Sequence, residues 1–188
     1  MFPIFVPMNK RLIFDSKSLN VTIKRLCYQL IENHDNFSNS VILGLQPKGV
    51  HLANKIHKIL LEDFGINLQI GYLDITFNRD DFRRRDIDII PKAMHVPFSI
   101  ENKKVILVDD VLYTGRSIRA AMDAMLAFGR PANVELLILI DRKYTRELPI
   151  EPKYCGKHVN TLLSEKVLVE LKEQGAVEDN VWLIPRGS

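Results

Sequence analysis

Residues Val105 to Ser117 read VILVDDVLYTGRS. Four apolar residues come first, the form of a strand buried on both faces. Two adjacent carboxylates, Asp109 and Asp110, follow at its end. A short loop with Thr114 and Gly115 then opens a helical pattern. An acid held on a strand end can accept hydrogen bonds from a polyhydroxyl ligand in fixed geometry, and two acids suit a vicinal diol. The loop offers backbone N–H groups and the hydroxyls of Thr114 and Ser117 at a helix N-terminus, where unpaired donors and the positive end of the dipole meet. Gly115 permits close backbone approach, and Arg116 adds positive charge. A diol grip one loop from a phosphate cradle describes a ribose 5-phosphate pocket. A bare pair of acids would more often be solvated strand-end residues beside an ordinary cap; the whole string is far more specific.

Outward from this segment, strands alternate with helices. Asp15 or Ser16 can cap a helix with Leu19, Ile23, Leu26 and Leu30 on one face. Ser40 to Leu45 reads as a buried strand, and Gly49 leads into a helix carrying Leu52, Ile56, Ile59 and Leu60. Leu68 to Ile75 is a further strand. Residues 77–98, with Arg83, Arg84 and Arg85 in succession, fit a loop or flexible hairpin. Lys104 to Val108 is a strand. Ser117 to Phe128 is helical, with Ile118, Ala121, Met122, Met125 and Leu126 inward and Gly129 at its end. Val134 to Ile140 is another buried strand. A proline-bearing loop spans Leu148 to Lys157, and Lys166 to Leu171 is the last strand candidate. This alternation predicts an α/β fold with a mostly parallel central sheet flanked by helices. Ligands in such sheets bind beyond the carboxyl ends of the strands. The turns after Leu45, Val108 and Ile140 lie there.

Composition sets bounds. The chain has 188 residues, 46% hydrophobic and 26% charged, enough apolar material for a substantial core and, by length, one domain over 1–188. A net charge of +3 does not demand a nucleic-acid partner. Cys27 and Cys155 have neither metal-site spacing nor the pattern of a disulfide framework, which favours free thiols in a reducing cytoplasm. No apolar run approaches the ~18–20 residues of a membrane span. The apolar start MFPIFVPMNK has no basic lead or cleavage site of a signal peptide. Residues 186–188, in the ending LIPRGS, look like a protease-cleavage remnant of an expression vector. The five histidines, His34, His51, His57, His95 and His158, lack metal-ligand spacing. Gly44 and Gly49 are spaced as in a P-loop, but Val50 and His51 stand where its lysine and hydroxyl belong, which excludes it.

VILVDDVLYTGRS resembles the PRPP (5-phosphoribosyl-1-pyrophosphate) motif of the type I phosphoribosyltransferases. With DITFNRDD, DAMLAFGRP, IDR, RELPI and Tyr154 to Lys157, the chain resembles the PyrR family, pyrimidine operon regulators with uracil phosphoribosyltransferase activity, from about Asp15 to Leu171. The resemblance implies the type I fold with a small hood and a flexible catalytic loop over 77–98. It implies that Asp109 and Asp110 hold the ribose hydroxyls, that Tyr113, Thr114, Gly115, Arg116 and Ser117 surround the 5-phosphate, and that Gln46, Pro47, Lys48 and Gly49 form the pyrophosphate loop. PyrR proteins carry Thr-Arg-Gly there; Pro47-Lys48-Gly49 offers a point charge instead of a bidentate guanidinium. Arg79 and Lys92 are the loop candidates for pyrophosphate contact. Asp141, Arg142 and Val159 would line the base. Mg²⁺ would be held mainly through PRPP, with no dedicated protein ligand. The implied reaction joins PRPP and uracil into UMP and pyrophosphate, in a dimer or higher assembly.

Two further readings share these residues. In one, the chain is a UMP-responsive RNA-binding regulator. Arg146 and Lys157 match RNA-facing positions of the family, whereas Glu151 and Thr145 depart from it, and an acid opposes phosphate binding. In the other, the same scaffold serves a purine, since fold does not fix the base. A PRPP-binding module without turnover is the remaining reading.

Overall fold

The computed structural model describes residues 10–75, 94–161 and 165–185. In chain order the elements are β1 (Arg11–Phe14), α1 (Ser16–His34), β2 (Ser40–Leu45), α2 (Gly49–Phe64), β3 (Gln69–Leu73), β4 (Lys104–Leu112), α3 (Arg116–Met125), β5 (Asn133–Lys143), β6 (Tyr154–Asn160), β7 (Glu165–Glu170) and β8 (Asn180–Pro185). A central sheet of order β3-β2-β4-β5-β6 has every neighbouring pair parallel. A second, antiparallel sheet, β1-β8-β7, forms the hood. Among the described residues no helix is long and apolar enough to cross a membrane.

The continuous apolar runs of the strands are explained by helices on both faces. Side chains alternate across a strand, so Ile42, Ile106, Val108, Leu137 and Leu139 pack with Leu19, Ile23, Leu26 and Leu30 of α1 and Leu52, Ile56 and Leu60 of α2. Val41, Leu43, Val105, Leu107, Leu136 and Ile138 pack on the other face with Ile118, Ala121 and Met125 of α3. Asp15 caps α1, its carboxylate accepting from Ser18 N–H at 2.7 Å.

Several expectations need correction. Met122 and Leu126, read as inward, are 44% and 60% exposed. Met122 sits at the flank of α3, whose inward stripe is Ile118, Ala121 and Met125, and Leu126 lies past its end, in a 3₁₀ turn over Leu126–Phe128. β4 runs on to Leu112, so Asp109 and Asp110 belong to the strand, with Asp109 opposite Ile138 of β5. The region read as a loop up to Lys157 already contains the first half of β6, and β1 and β8 were not foreseen. Prolines around β6 mask a short edge strand, and β1 and β8 are too short to show a period.

A polar cluster closes the edge of the sheet opposite the strand carboxyl ends. His34 Nδ1 lies 2.8 Å from Ser40 Oγ, and His34 Nε2 lies 3.0 Å from Glu135 Oε2. Tyr154 donates its hydroxyl to Glu135 Oε2 at 2.7 Å, and Lys153 donates to Oε1 at 2.6 Å. These partners assign a neutral ring that donates from Nε2 and accepts from Ser40 at Nδ1. Burial, outweighing the nearby Glu135, holds His34 below the usual histidine range. A folded pKa below the unfolded one means that the unfolded chain takes up the proton first. Stability is therefore expected to fall as pH drops below about 6.5. Melting temperature followed from pH 7.5 to 5 should show this slope, and His34→Gln should flatten it while lowering stability at pH 7.5 by about 1–3 kcal/mol. An equal slope in both proteins would reject His34 as its source.

Candidate active site

The chain leaves β2 toward β3 on one side of the sheet and returns to β4 on the other. The carboxyl ends of these adjacent strands diverge there, and Gly44 of β2 lies level with Val108 of β4. This is the topological switch point where open α/β sheets hold their ligands. The turn Gln46-Pro47-Lys48-Gly49 faces Asp109 and Asp110 across it. The approach is close: a Cβ on Gly49 would lie 2.4 Å from the Val108 carbonyl oxygen and 3.1 Å from Asp109 Oδ1. Gln46 N–H donates to the Leu73 carbonyl at 2.9 Å, which ties the turn to β3.

Asp110 is buried and Asp109 half-buried. Asp110 N–H donates to Asp109 Oδ1 at 2.9 Å, and Lys48 Nζ stands 3.9 Å from Asp110 Oδ2. Burial, with the neighbouring Asp110 charge, pushes the Asp109 carboxyl well above the usual range. Burial also raises Asp110, against the opposing pull of Lys48. Two carboxylates withdrawn from water with one half-exposed cation nearby form an acceptor-rich pocket, suited to hydroxyl groups or an oxygen-seeking cation.

Next to the acids, Gly115 takes the left-handed conformation, φ 93°, and starts α3. Its missing side chain admits Ile150 Cδ1 and Leu148 Cβ, at 3.3 and 3.4 Å from where a Cβ would sit. Thr114 Oγ1 accepts from Arg116 N–H at 3.4 Å. Arg116 also pairs with Glu147, Nε to Oε2 at 2.7 Å. Neither α2, which starts at Gly49 beside Asp109, nor α3, which starts one short loop after the acids, has a side-chain cap, whereas α1 is capped. First-turn N–H groups without a cap suit phosphate oxygens.

Beyond β5 the structure gathers Asp141, Arg142 and Val159. Arg142 and Val159 are register partners across β5 and β6. Arg142 is buried; its guanidinium carbon lies 4.1 Å from the centre of the Tyr113 ring. Its Nε donates to Thr161 Oγ1 and its terminal nitrogen to the Glu165 carbonyl, both at 2.9 Å. Arg142 thus joins Tyr113, in the loop that opens α3, to the first residue of the hood strand β7. Arg146 turns toward the interior of this cluster, donating to Asp141 Oδ1 and to the Tyr113 carbonyl, both at 2.5 Å. Lys157 is exposed and lies over Phe14, 5.0 Å from its ring centre. Arg79, Lys92 and Arg83 to Arg85 lie outside the described residues.

Sequence reading missed His158 and Glu147. His158 Nδ1 lies 3.1 Å from Asp141 Oδ2, and the N–H of Glu147 donates to the Thr114 carbonyl at 3.0 Å. The one available signal was the RELPI string, which placed Glu147 near the site without a role. His158 had none, because β6 was not read as a strand.

The family model described as "Phosphoribosyl transferase domain" matches residues 13–173. The fold agrees with solved phosphoribosyltransferases: an HGPRT-ase from Leishmania tarentolae superposes with a TM-score of 0.72 at 14% identity, over 96% of this chain and 99% of that one. A hypoxanthine phosphoribosyltransferase from Staphylococcus aureus gives 0.65 at 21% identity, over 86% and 82%. Fold and crevice together define a type I phosphoribosyltransferase scaffold. The "Bifunctional protein PyrR" of Listeria monocytogenes is 42% identical over 172 residues, 90% of this chain and 93% of the relative. Its counterparts in Halalkalibacterium halodurans and Desulfosudis oleivorans are 39% and 42% identical over 90% and 88% of this chain. The chain belongs to the PyrR family of phosphoribosyltransferases.

Proposed function

We propose that the chain transfers the phosphoribosyl group of PRPP to N1 of uracil, giving UMP and pyrophosphate. The observation that carries this reading is the crevice at the β2/β4 switch point, where two desolvated carboxylates stand between two helix N-termini that lack side-chain caps. Asp109 and Asp110 accept from the ribose hydroxyls. Tyr113 to Ser117 surround the 5-phosphate, and Gln46 to Gly49 face the pyrophosphate. Asp141, Arg142 and the Val159 backbone border the base.

In the reaction the C1–oxygen bond to pyrophosphate breaks, and its electron pair leaves with pyrophosphate. The N1–C1 bond forms, and the N1 proton passes to solvent. The chain contributes by holding the partners in line and by countering charge. Lys48 supplies positive charge on the leaving-group side. Its role as a point charge makes the pyrophosphate hold depend on neighbouring N–H groups of α2. Mg²⁺ fits this donor set, because the acids offer hard oxygen ligands. Among the described residues no cluster of three or more metal-ligating side chains occurs, so PRPP would supply the remaining ligands. Bound there, Mg²⁺ supplies countercharge to the departing pyrophosphate.

The test is pyrophosphate release from PRPP and Mg²⁺ with uracil, hypoxanthine, guanine and adenine side by side. Uracil alone should be used. Turnover with a purine and none with uracil would overturn the base assignment and leave the PRPP site standing. PRPP binding without turnover of any base would reduce the chain to a binding module. Family membership and the exposed Lys157 support a second activity, UMP-dependent binding of pyrimidine leader RNA by a cytoplasmic dimer or larger assembly. A salt-dependent gel shift checks it. The inward use of Arg146 and the acid at Glu151 weigh toward a weaker RNA contact than toward PRPP.

A further inference from the structure

We infer that His158 is a positioning residue for the phosphate loop, acting through Asp141 and Arg146, and that its charge sets how firmly the loop holds its phosphate. The inference rests on the assignment of Tyr113 to Ser117 to the 5-phosphate of PRPP.

Parallel pairing of β5 with β6 sets Asp141 directly opposite His158. The Asp141 side chain is only 8% exposed, and both of its oxygens are engaged. Oδ1 takes Arg146 at 2.5 Å and Oδ2 takes His158 Nδ1 at 3.1 Å. The second terminal nitrogen of Arg146 donates to the Tyr113 carbonyl. The next two residues continue the attachment, with Glu147 N–H and Leu148 N–H both donating to the Thr114 carbonyl, at 3.0 and 3.3 Å. The backbone of the phosphate loop thus hangs from residues 146–148, and Asp141 fixes where that support stands. His158 holds the other half of Asp141 while its ring is half exposed, so protons reach it from solvent.

A histidine ring changes charge between about pH 5 and 8. With a neutral ring, Asp141 and Arg146 form a balanced pair. With a protonated ring, Asp141 is shared between two cations, and Arg146 is drawn less to the carboxylate and more to the Tyr113 carbonyl. The cluster then also carries one net positive charge beside a loop that receives a phosphate. Both effects favour PRPP. The other groups near the ring are held by partners of their own. The Cys155 sulfur, 3.8 Å away, stays a thiol, because burial and Asp141 push it up to about 11. Lys157 leans on Phe14 and the Ile13 carbonyl of β1. Arg25 of α1 donates to the Cys155 and Gly156 carbonyls at 3.1 and 2.7 Å. Arg142 is committed to Thr161 and Glu165.

His158→Gln and His158→Asn keep a donor for Asp141 but cannot take a charge. The ratio of variant to parent KM for PRPP cancels the titration of PRPP itself. It should be near one at pH 8 and climb to about fivefold at pH 6, the lower end of coupling between sites. The kcat at saturating PRPP and uracil should match the parent at each pH. Without PRPP, the Thr114 amide resonance of the parent should shift with the His158 ring titration, and this response should vanish in His158→Gln. A Thr114 amide that ignores the ring overturns the inference. An amide that follows the ring while the KM ratio stays flat overturns instead the assignment of the loop to PRPP phosphate. A parallel change of kcat and KM, with lowered melting temperature, would make His158 a strand residue of purely structural weight and also overturn it.

Discussion

Asp109→Asn combined with Asp110→Asn is expected to remove phosphoribosyl transfer and to leave the protein as stable as before or more so. In the proposed site each carboxylate accepts a ribose hydroxyl in a charge-assisted hydrogen bond, worth about 1.5–3 kcal/mol. Loss of both should lower kcat/KM by about 10²–10⁴-fold, at about 1.4 kcal/mol per factor of ten. Stability moves the other way. Burial raises both carboxyls above their unfolded values, and the adjacent charge adds to the effect on Asp109. A raised folded pKa means stability that is full below the unfolded value near 3.8 and declines as pH rises through the folded one. At pH 7 the parent therefore carries two acids that folding disfavours in charged form. Amides relieve that cost, while Lys48, whose side chain is 46% exposed, retains its water. Melting temperature at pH 7 should rise, and the gain should shrink toward pH 4. Retained turnover would defeat the site assignment. A lower melting temperature at pH 7 would defeat the electrostatic account.

Gly49→Ala should damage both fold and activity. The new methyl would meet the Val108 carbonyl oxygen at 2.4 Å and the Asp109 Cα at 3.0 Å, both backbone atoms of the central strand that cannot rotate aside. Either the start of α2 or the end of β4 must shift. Overpacking of this kind costs about 1–3 kcal/mol. A displacement near 1 Å between pyrophosphate turn and acids should cost about 10²-fold in kcat/KM. Gly65→Ala is the matched control at the other end of α2. It strains a left-handed residue, φ 68°, with nothing within 4 Å of the added methyl. It should lower stability by about 1 kcal/mol and leave kcat/KM unchanged. Equal activity of the two variants would show that Gly49 serves only as a helix start.

The fold was legible where one residue pattern answers to one physical demand. SVILGL and VILV are apolar throughout because helices cover both sheet faces. Asp15 announces α1 because an uncapped N-terminus there would cost stability. The VDDVLYTGRS string set the acids beside the loop that opens α3 because they follow one another in the chain. What escaped notice was built by pairing across distance. Asp141 and His158 meet only because β5 and β6 lie in register, and nothing in the spacing between them announces it. The extension of β4 through both acids was equally hidden, since buried charged residues in a strand resemble its end. Leu126 was misplaced because the helical period was continued into a 3₁₀ turn that breaks it, and Met122 because the inward stripe of α3, Ile118, Ala121 and Met125, is narrower than the apolar pattern.

The hood is fastened close to the chemistry. Lys55 of α2 pairs with Glu173 at 3.2 Å and also with Asp179, while Ser16 at the start of α1 donates to the Asp179 carbonyl at 2.9 Å. Lys55 sits fewer than two turns, about 9 Å of helix rise, from Gly49. The hood is thus anchored to the helix that opens at the crevice, and Arg142 anchors it again through the Glu165 carbonyl. Two separate ties, one borne by a lysine and one by an arginine, therefore link the small sheet to the elements that border the proposed ligand site.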